Sequence, residues 1–166
     1  MQVEKGRIED IEAIMGVYGK ARQLMRKSGN PRQWTGGYPS KEKILEDMGK
    51  SRLYVVRDGQ GAIHACFVMA VMDDPTYHII EGGSWSADRP YAVIHRIGQD
   101  GTMKGVLHLA LALASQEADY IRIDTHEDNA IMRHLLEKEG FRECGTIYVE
   151  DGSARLAFDR LTPCGS

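Results

Sequence analysis

The stretch HRIGQDGTMKGVLHLALALASQ, His95 to Gln116, sets Gly98, Gly101, Lys104 and Gly105 directly ahead of an apolar run with helical spacing. Backbone N–H groups at a helix start have no partner inside the helix and lie at the positive end of its dipole, so a phosphate can accept from them. Glycine lets the backbone approach such a group closely. An ordinary Gly-rich connection between a strand and a helix fits the same residues. Two nucleotide patterns are excluded. Lys104 is followed by Gly105 rather than the hydroxyl residue that a P-loop needs for magnesium, and the glycine spacing does not match G-x-G-x-x-G.

His95 opens the stretch, and the ordinary imidazole pKa of about 6.5 suits a base near neutral pH. The competing reading is a strand histidine satisfied by its neighbours. Glu81, in IIEGGSW, is a candidate to bind or deprotonate a cation, with a solvated loop acid as the alternative. Tyr148 is a fallback proton donor or a packed strand residue. His126 and Glu127 end a strand-like run where functional groups collect. HEDNA is not H-E-x-x-H, so no metal site is expected there, and His126 either meets a substrate or caps the next helix. Trp34, Tyr38 and Trp85 stand in Gly-rich loops, where they would wall a pocket, hold an amine by cation–π contact or pin the loop to the domain. Cys66 and Cys144 lie in apolar strand patterns typical of inert thiols.

These residues need a scaffold. The 166 residues, 42% hydrophobic and 27% charged, suit one soluble domain with a sizeable core, expected over 1–162 with a frayed tail at 163–166. A net charge of −3 and no basic stripe argue against nucleic acid as a partner. Three cysteines form neither an even set nor a Cys-x-x-Cys pair, which points to a reducing compartment. The first residues carry acids and no apolar block, and ACFVMAVM is far shorter than a membrane span of about 20 residues, so a cytoplasmic protein is expected.

MQVEKGRI reads as an edge-like strand, and Ile11, Ile14, Met15, Tyr18, Ala21, Leu24 and Met25 mark a helix that Gly29 stops. Ser40 caps a short helix, KEKILEDMGK. A hairpin turns at DGQG, and YAVIHRIG and YIRIDTHE are strands. Strict alternation in the first of these puts Tyr91, Val93, His95 and Ile97 on one face and Ala92, Ile94 and Arg96 on the other, where Arg96 would pair with an acid. Asp128 or Thr125 opens the helix NAIMRHLLEKEG, and a closing hairpin turns at EDGS. Strands alternate with helices in the middle and form hairpins at either end. The fold class is therefore α/β, a mixed sheet with helices on both faces.

VIHRIGQDGTMKGVLHLALALA followed by IRIDTHEDNAIMRHLLEKEGFREC resembles the GNAT superfamily of N-acetyltransferases, in particular small bacterial members with a QW…GYPS loop after the first helix. The resemblance implies a mostly antiparallel central sheet and acetyl-CoA as the acyl donor. It implies that the amides of Gly101, Thr102, Met103, Lys104 and Gly105 meet the pyrophosphate. Thr102 and Leu107 stand where the family pattern has Gln or Arg and a small residue. The pantetheine arm would pair with the backbone of Ile97 and Gly98 where two strands splay, and Asn129 would contact it. The tyrosine that often protonates the leaving thiolate falls at Leu136. The implied reaction is direct attack of a small-molecule primary amine on the thioester. A catalytically silent acyl-CoA-binding or partner-binding module of the same fold is the alternative. A homodimer through the closing strands is among the assemblies that the resemblance allows.

Overall fold

Helical spacing buries Ile14, Val17, Tyr18 and Ala21 on one face of the first long helix, α1 (Ile11–Lys27), which ends at Gly29 with φ +86°. The computed structural model describes residues 1–162, so the tail expected at 163–166 lies outside the described residues. The remaining elements are β1 (Gln2–Lys5), α2 (Lys41–Gly49), β2 (Leu53–Arg57), β3 (Ile63–Val71), β4 (Ala92–Gln99), α3 (Val106–Ser115), β5 (Tyr120–Thr125), α4 (Ala130–Lys138), β6 (Arg142–Tyr148) and β7 (Ala154–Leu161). Ser40 caps α2 by accepting from the Lys43 amide, an interaction worth about 1 kcal/mol. The cap of α4 is Asn129, which accepts from Met132 N, rather than Asp128 or Thr125. Asp128 is instead engaged by Arg32 at 2.6 Å.

The seven strands run in the order β1-β2-β3-β4-β5-β7-β6. Every pairing is antiparallel except β4 with β5. Helices α3 and α4 cover one face, burying Leu107, Ala110, Leu111 and Leu136 against Phe67, Ile94 and Ile123. On the other face α1 and α2 pack Tyr18 and Ile44 against Val55, Cys66 and Val68. Gly98 permits that approach, since a Cβ there would sit 3.1 Å from the Tyr18 ring. No described helix is long and apolar enough to cross a membrane.

Two features escape the strand and helix periodicities. Residues 72–91 form a long connection held by side chains, with a 3-10 turn at Pro75–Tyr77 capped by Asp74. It also closes the free edge of β6, where Glu81 N donates to Thr146 O at 2.9 Å and Thr146 N to Glu81 O at 2.8 Å. The second is a bulge in β4. Between the pairs Cys66–Gly98 and Val68–His95, β4 carries one more residue than β3, and Arg96 takes φ +48°. The bulge corrects the expected alternation. Arg96 turns to the α2 side, where it pairs with Asp47, and Ile97 packs with the core under α3 instead of sharing a face with His95.

Candidate active site

Strands β4 and β5 pair only at Ala92–Ile121 and Val93–Arg122, after which they part. Among the described residues, the edge of β4 beyond Val93 has no strand partner on the β5 side. The bulge beside this opening is locked from both ends. The Arg96 guanidinium donates to the two Asp47 oxygens at 2.8 and 2.9 Å and to Tyr38 Oη at 3.0 Å, while the Arg96 carbonyl accepts from Tyr18 Oη at 2.7 Å.

His95 stands where the strands part. Its Nε2 lies 2.7 Å from Asp74 Oδ2, and Asp74 Oδ1 accepts from the amide and the hydroxyl of Thr76. Burial would raise the Asp74 carboxyl, but hydrogen bonds from His95 and Thr76 outweigh it and hold the pKa at about 2. An ionised carboxylate only accepts, so in neutral His95 the proton sits on Nε2 and the lone pair on Nδ1. That Nδ1 faces Asp124 Oδ2 at 3.9 Å, and the same oxygen accepts from Tyr77 Oη at 2.7 Å. Burial and the Asp124 charge push the Tyr77 hydroxyl well above the usual tyrosine range. The cluster is thus an imidazole anchored on one nitrogen with a free lone pair on the other, flanked by two carboxylates.

The depressed Asp74 pKa has a stability consequence. A carboxylate whose pKa is lowered on folding contributes stability above its unfolded pKa of about 3.9 and loses it as pH falls through the folded value. Asp74→Asn should lower the unfolding free energy at pH 7 by roughly 2 kcal/mol, and the deficit should close between about pH 4 and pH 2. Denaturant midpoints at both ends of that window test this. A deficit as large at about pH 2 as at pH 7 overturns the assignment.

The glycine loop differs from the expected open nest. Asp100 Oδ1 accepts from Thr102 N at 3.0 Å, and Gly101 N reaches Gln99 Oε1 at 3.3 Å, so two of the five amides already have partners. Met103 points into the core. The amides of Lys104, Gly105, Val106 and Leu107 have no partner among the described residues, and Gly105 stands at the N-cap with φ +82° and open space around it. The unpaired amides of the loop therefore lie at the helix start itself. His64 bridges Asp58 at 2.7 Å and Asp100 at 2.8 Å, tying the β2–β3 turn to the loop. The Asp58 and Asp100 hydrogen bonds raise the His64 pKa, which favours its positive charge beside those two acids.

The other candidates are dispersed. Glu81 and Tyr148 meet each other, with Tyr148 Oη donating to Glu81 Oε2 at 2.9 Å, and both are exposed at the outer strand. That contact is what lifts the Tyr148 pKa above its ordinary value. Asn129 is committed to its cap and to Gln33, which accepts from Asn129 Nδ2 at 3.0 Å. Trp34 is buried, edge-on to Tyr18, and lies in the core rather than in a pocket wall. Tyr38 is half-exposed and held by Arg96. His126 accepts from Asp128 N through Nδ1, and burial, then the nearby Arg155 charge, lowers its pKa. Trp85 does face a cation, but an internal one: the Arg122 guanidinium lies 4.3 Å from its ring. Burial raises the Cys66 thiol pKa and pushes that of Cys144 up to about 12, so neither is a nucleophile.

Around His95, sequence reasoning missed the candidate residues Asp124 and Tyr77, while Asp74 was legible only as one of the loop acids, with Asp73, Glu81 and Asp88, that suggest a cationic acceptor. The Asp-Pro step at Asp74–Pro75 was a readable signal for a capped turn. Nothing local marks Asp124, which faces His95 only because β4 and β5 are neighbours.

No family model and no curated protein matches the sequence. Solved structures do. An acetyltransferase of the GNAT family from Streptococcus agalactiae 2603 superposes with a TM-score of 0.85 at 26% identity, over 98% of this chain and 95% of that one. One from Listeria monocytogenes 4b F2365 gives a TM-score of 0.69 at 15% identity, covering 96% and 94%. The ribosomal-protein-S18-alanine N-acetyltransferase from Escherichia coli gives 0.64 at 14%, covering 99% and 96%, and shares the fold alone. In fold and in the splay of β4 from β5 the chain is similar to the GNAT-family acetyltransferases.

Proposed function

We propose that the protein transfers the acetyl group of acetyl-CoA to a primary amine of a small molecule by direct attack, with His95 as base and Asp74 as its anchor. The observation that carries this reading is the 2.7 Å His95–Asp74 pair at the point where β4 and β5 part. Bound acetyl-CoA supplies the thioester carbonyl. The open edge of β4 at Ile97 and Gly98 offers backbone groups to its arm, and the amides from Lys104 to Leu107 offer donors to its pyrophosphate. Asp74 and Asp124 favour a cationic acceptor beside His95, whose Nδ1 takes the proton that makes the amine nucleophilic. Leu136 is fully buried and has no proton to give, so the leaving thiolate is protonated by His95 or by water. The Glu81–Tyr148 pair takes no part in proton transfer in this reading. We place the reaction in the cytoplasm, supported by two unpaired thiols, Cys66 and Cys144.

A ligand at 100 times its dissociation constant adds about 2.7 kcal/mol to stability. For a chain of 166 residues that is a rise in Tm of roughly 5–10 °C with acetyl-CoA. A panel of small amines should then release CoA. The second reading, a silent acyl-CoA-binding module, draws on the occupied Gly101 and Thr102 amides and on Leu136. A Tm rise with no CoA release over any amine selects it, and no Tm rise at all removes acetyl-CoA as the donor.

A further inference from the structure

Beside Tyr77, the end of β3, the long connection and Arg122 of β5 line an open cavity of about 990 Å³ that the proposed reaction does not use. Arg122 forms part of its wall and is only 7% exposed. Its guanidinium is sandwiched, 4.3 Å from the Trp85 ring and 4.2 Å from the Tyr91 ring, so it can bond only in its own plane. In that plane Nε meets Tyr120 Oη at 3.2 Å and Nη2 donates to the Ala87 carbonyl at 2.8 Å, while Nη1 has no partner among the described residues. No carboxylate among those residues lies within 4.0 Å of it. Compensation reaches it only indirectly, through Tyr120 Oη donating to Asp159 Oδ2 at 2.6 Å. A buried cation without an acid partner is destabilising, and a bound anion removes that cost.

The rest of the lining carries both charges, and its other cation, Arg89, already pairs with Asp119 at 3.4 Å. Asp88 is exposed at the cavity rim and has no hydrogen-bond or ion-pair partner among the described residues, and Asp73 already holds His78 at 2.9 Å. Val71, Met72 and Pro90 supply apolar wall. One in-plane cationic donor, one free carboxylate and an apolar surface in the same cavity complement a molecule with a carboxylate, an ammonium and a hydrocarbon or aromatic body.

We propose that this cavity is a second ligand site that binds a zwitterionic, amino-acid-like molecule, its carboxylate on Arg122 Nη1 and its ammonium on Asp88. The ligand does not touch the base. Tyr77 lines the cavity and His95 does not, their rings lying 5.9 Å apart. The inference stands whether or not the chain transfers acetyl groups.

Titration calorimetry on the full chain without acetyl-CoA tests it, with the twenty free amino acids at about 10 mM as probes, then the methyl ester and the N-acetyl derivative of any that bind. At least one free amino acid should bind, and each derivative should bind about tenfold or more weakly, because each loses one charge. Arg122→Gln should abolish binding. Asp88→Asn, at an exposed position, should reduce affinity for the free amino acid and bring the N-acetyl derivative level with it. His95→Ala should bind as the unaltered chain does. Binding of no amino acid overturns the proposal, as does equal binding of acid and ester. Loss of binding in His95→Ala also overturns it, since the ligand would then occupy the reaction centre. If Arg122→Gln does not fold, the ester and Asp88→Asn measurements still decide.

Discussion

Replacing His95 with alanine should lower kcat by roughly 10²–10⁴, the usual contribution of a general base, while the dissociation constant for acetyl-CoA stays unchanged. The split between the two follows from position. The imidazole sits on the face that carries Asp74 and Asp124, whereas the amides open to the pyrophosphate lie at the start of α3. Residual turnover is expected, since holding thioester and amine together supplies up to about 7–11 kcal/mol without any base. Initial rates at saturating amine and calorimetric titration of acetyl-CoA make the test. Unchanged turnover removes His95 from the mechanism.

Asp47→Ala should cost about 3–5 kcal/mol of stability, the loss expected when a buried ion pair is left with one partner. The side chains of Arg96 and Asp47 are 13% and 6% exposed, and their contact is bidentate. The residue left unpaired is also the one at positive φ, so the variant loosens the bulge that sends His95 and Ile97 to opposite faces. Removing both charges, as Asp47→Leu with Arg96→Met, should recover most of the loss, because two apolar side chains leave no buried charge. Urea denaturation of the single and double variants checks this. A loss below about 1 kcal/mol in the single variant would place the pair in the class of solvent-exposed bridges.

The element order was legible because each segment carries its own periodicity and punctuation: Gly29 and Gly140 after helices, Ser40 before one, Asp58–Gly61 and Glu150–Ser153 between strands. The bulge was not, because arginine is an uncommon residue at positive φ and the contacts that hold Arg96 there come from Asp47, Tyr38 and Tyr18, all distant in sequence. The partners of His95 were hidden for the same reason. Asp74 precedes it by 21 residues within a connection that has no period. The loss of the Thr102 amide was readable, since an aspartate two residues earlier tends to take that amide in an Asx turn.

The backbone bridge between Glu81 and Thr146 bears on how copies of this chain can meet. Unpaired strand edges are templates for adding further strands, in ordered assembly and in aggregation alike. Here the outer edge of β6 is occupied at its middle by Glu81, and Gly83 packs so tightly that a Cβ would fall 1.9 Å from the Cys144 carbonyl. The opposite edge, β1, is only four residues long. A second copy therefore cannot continue the sheet at β6 without first peeling away residues 81–83, so any pair formed through the closing strands must meet through their side chains rather than by joining two sheets into one.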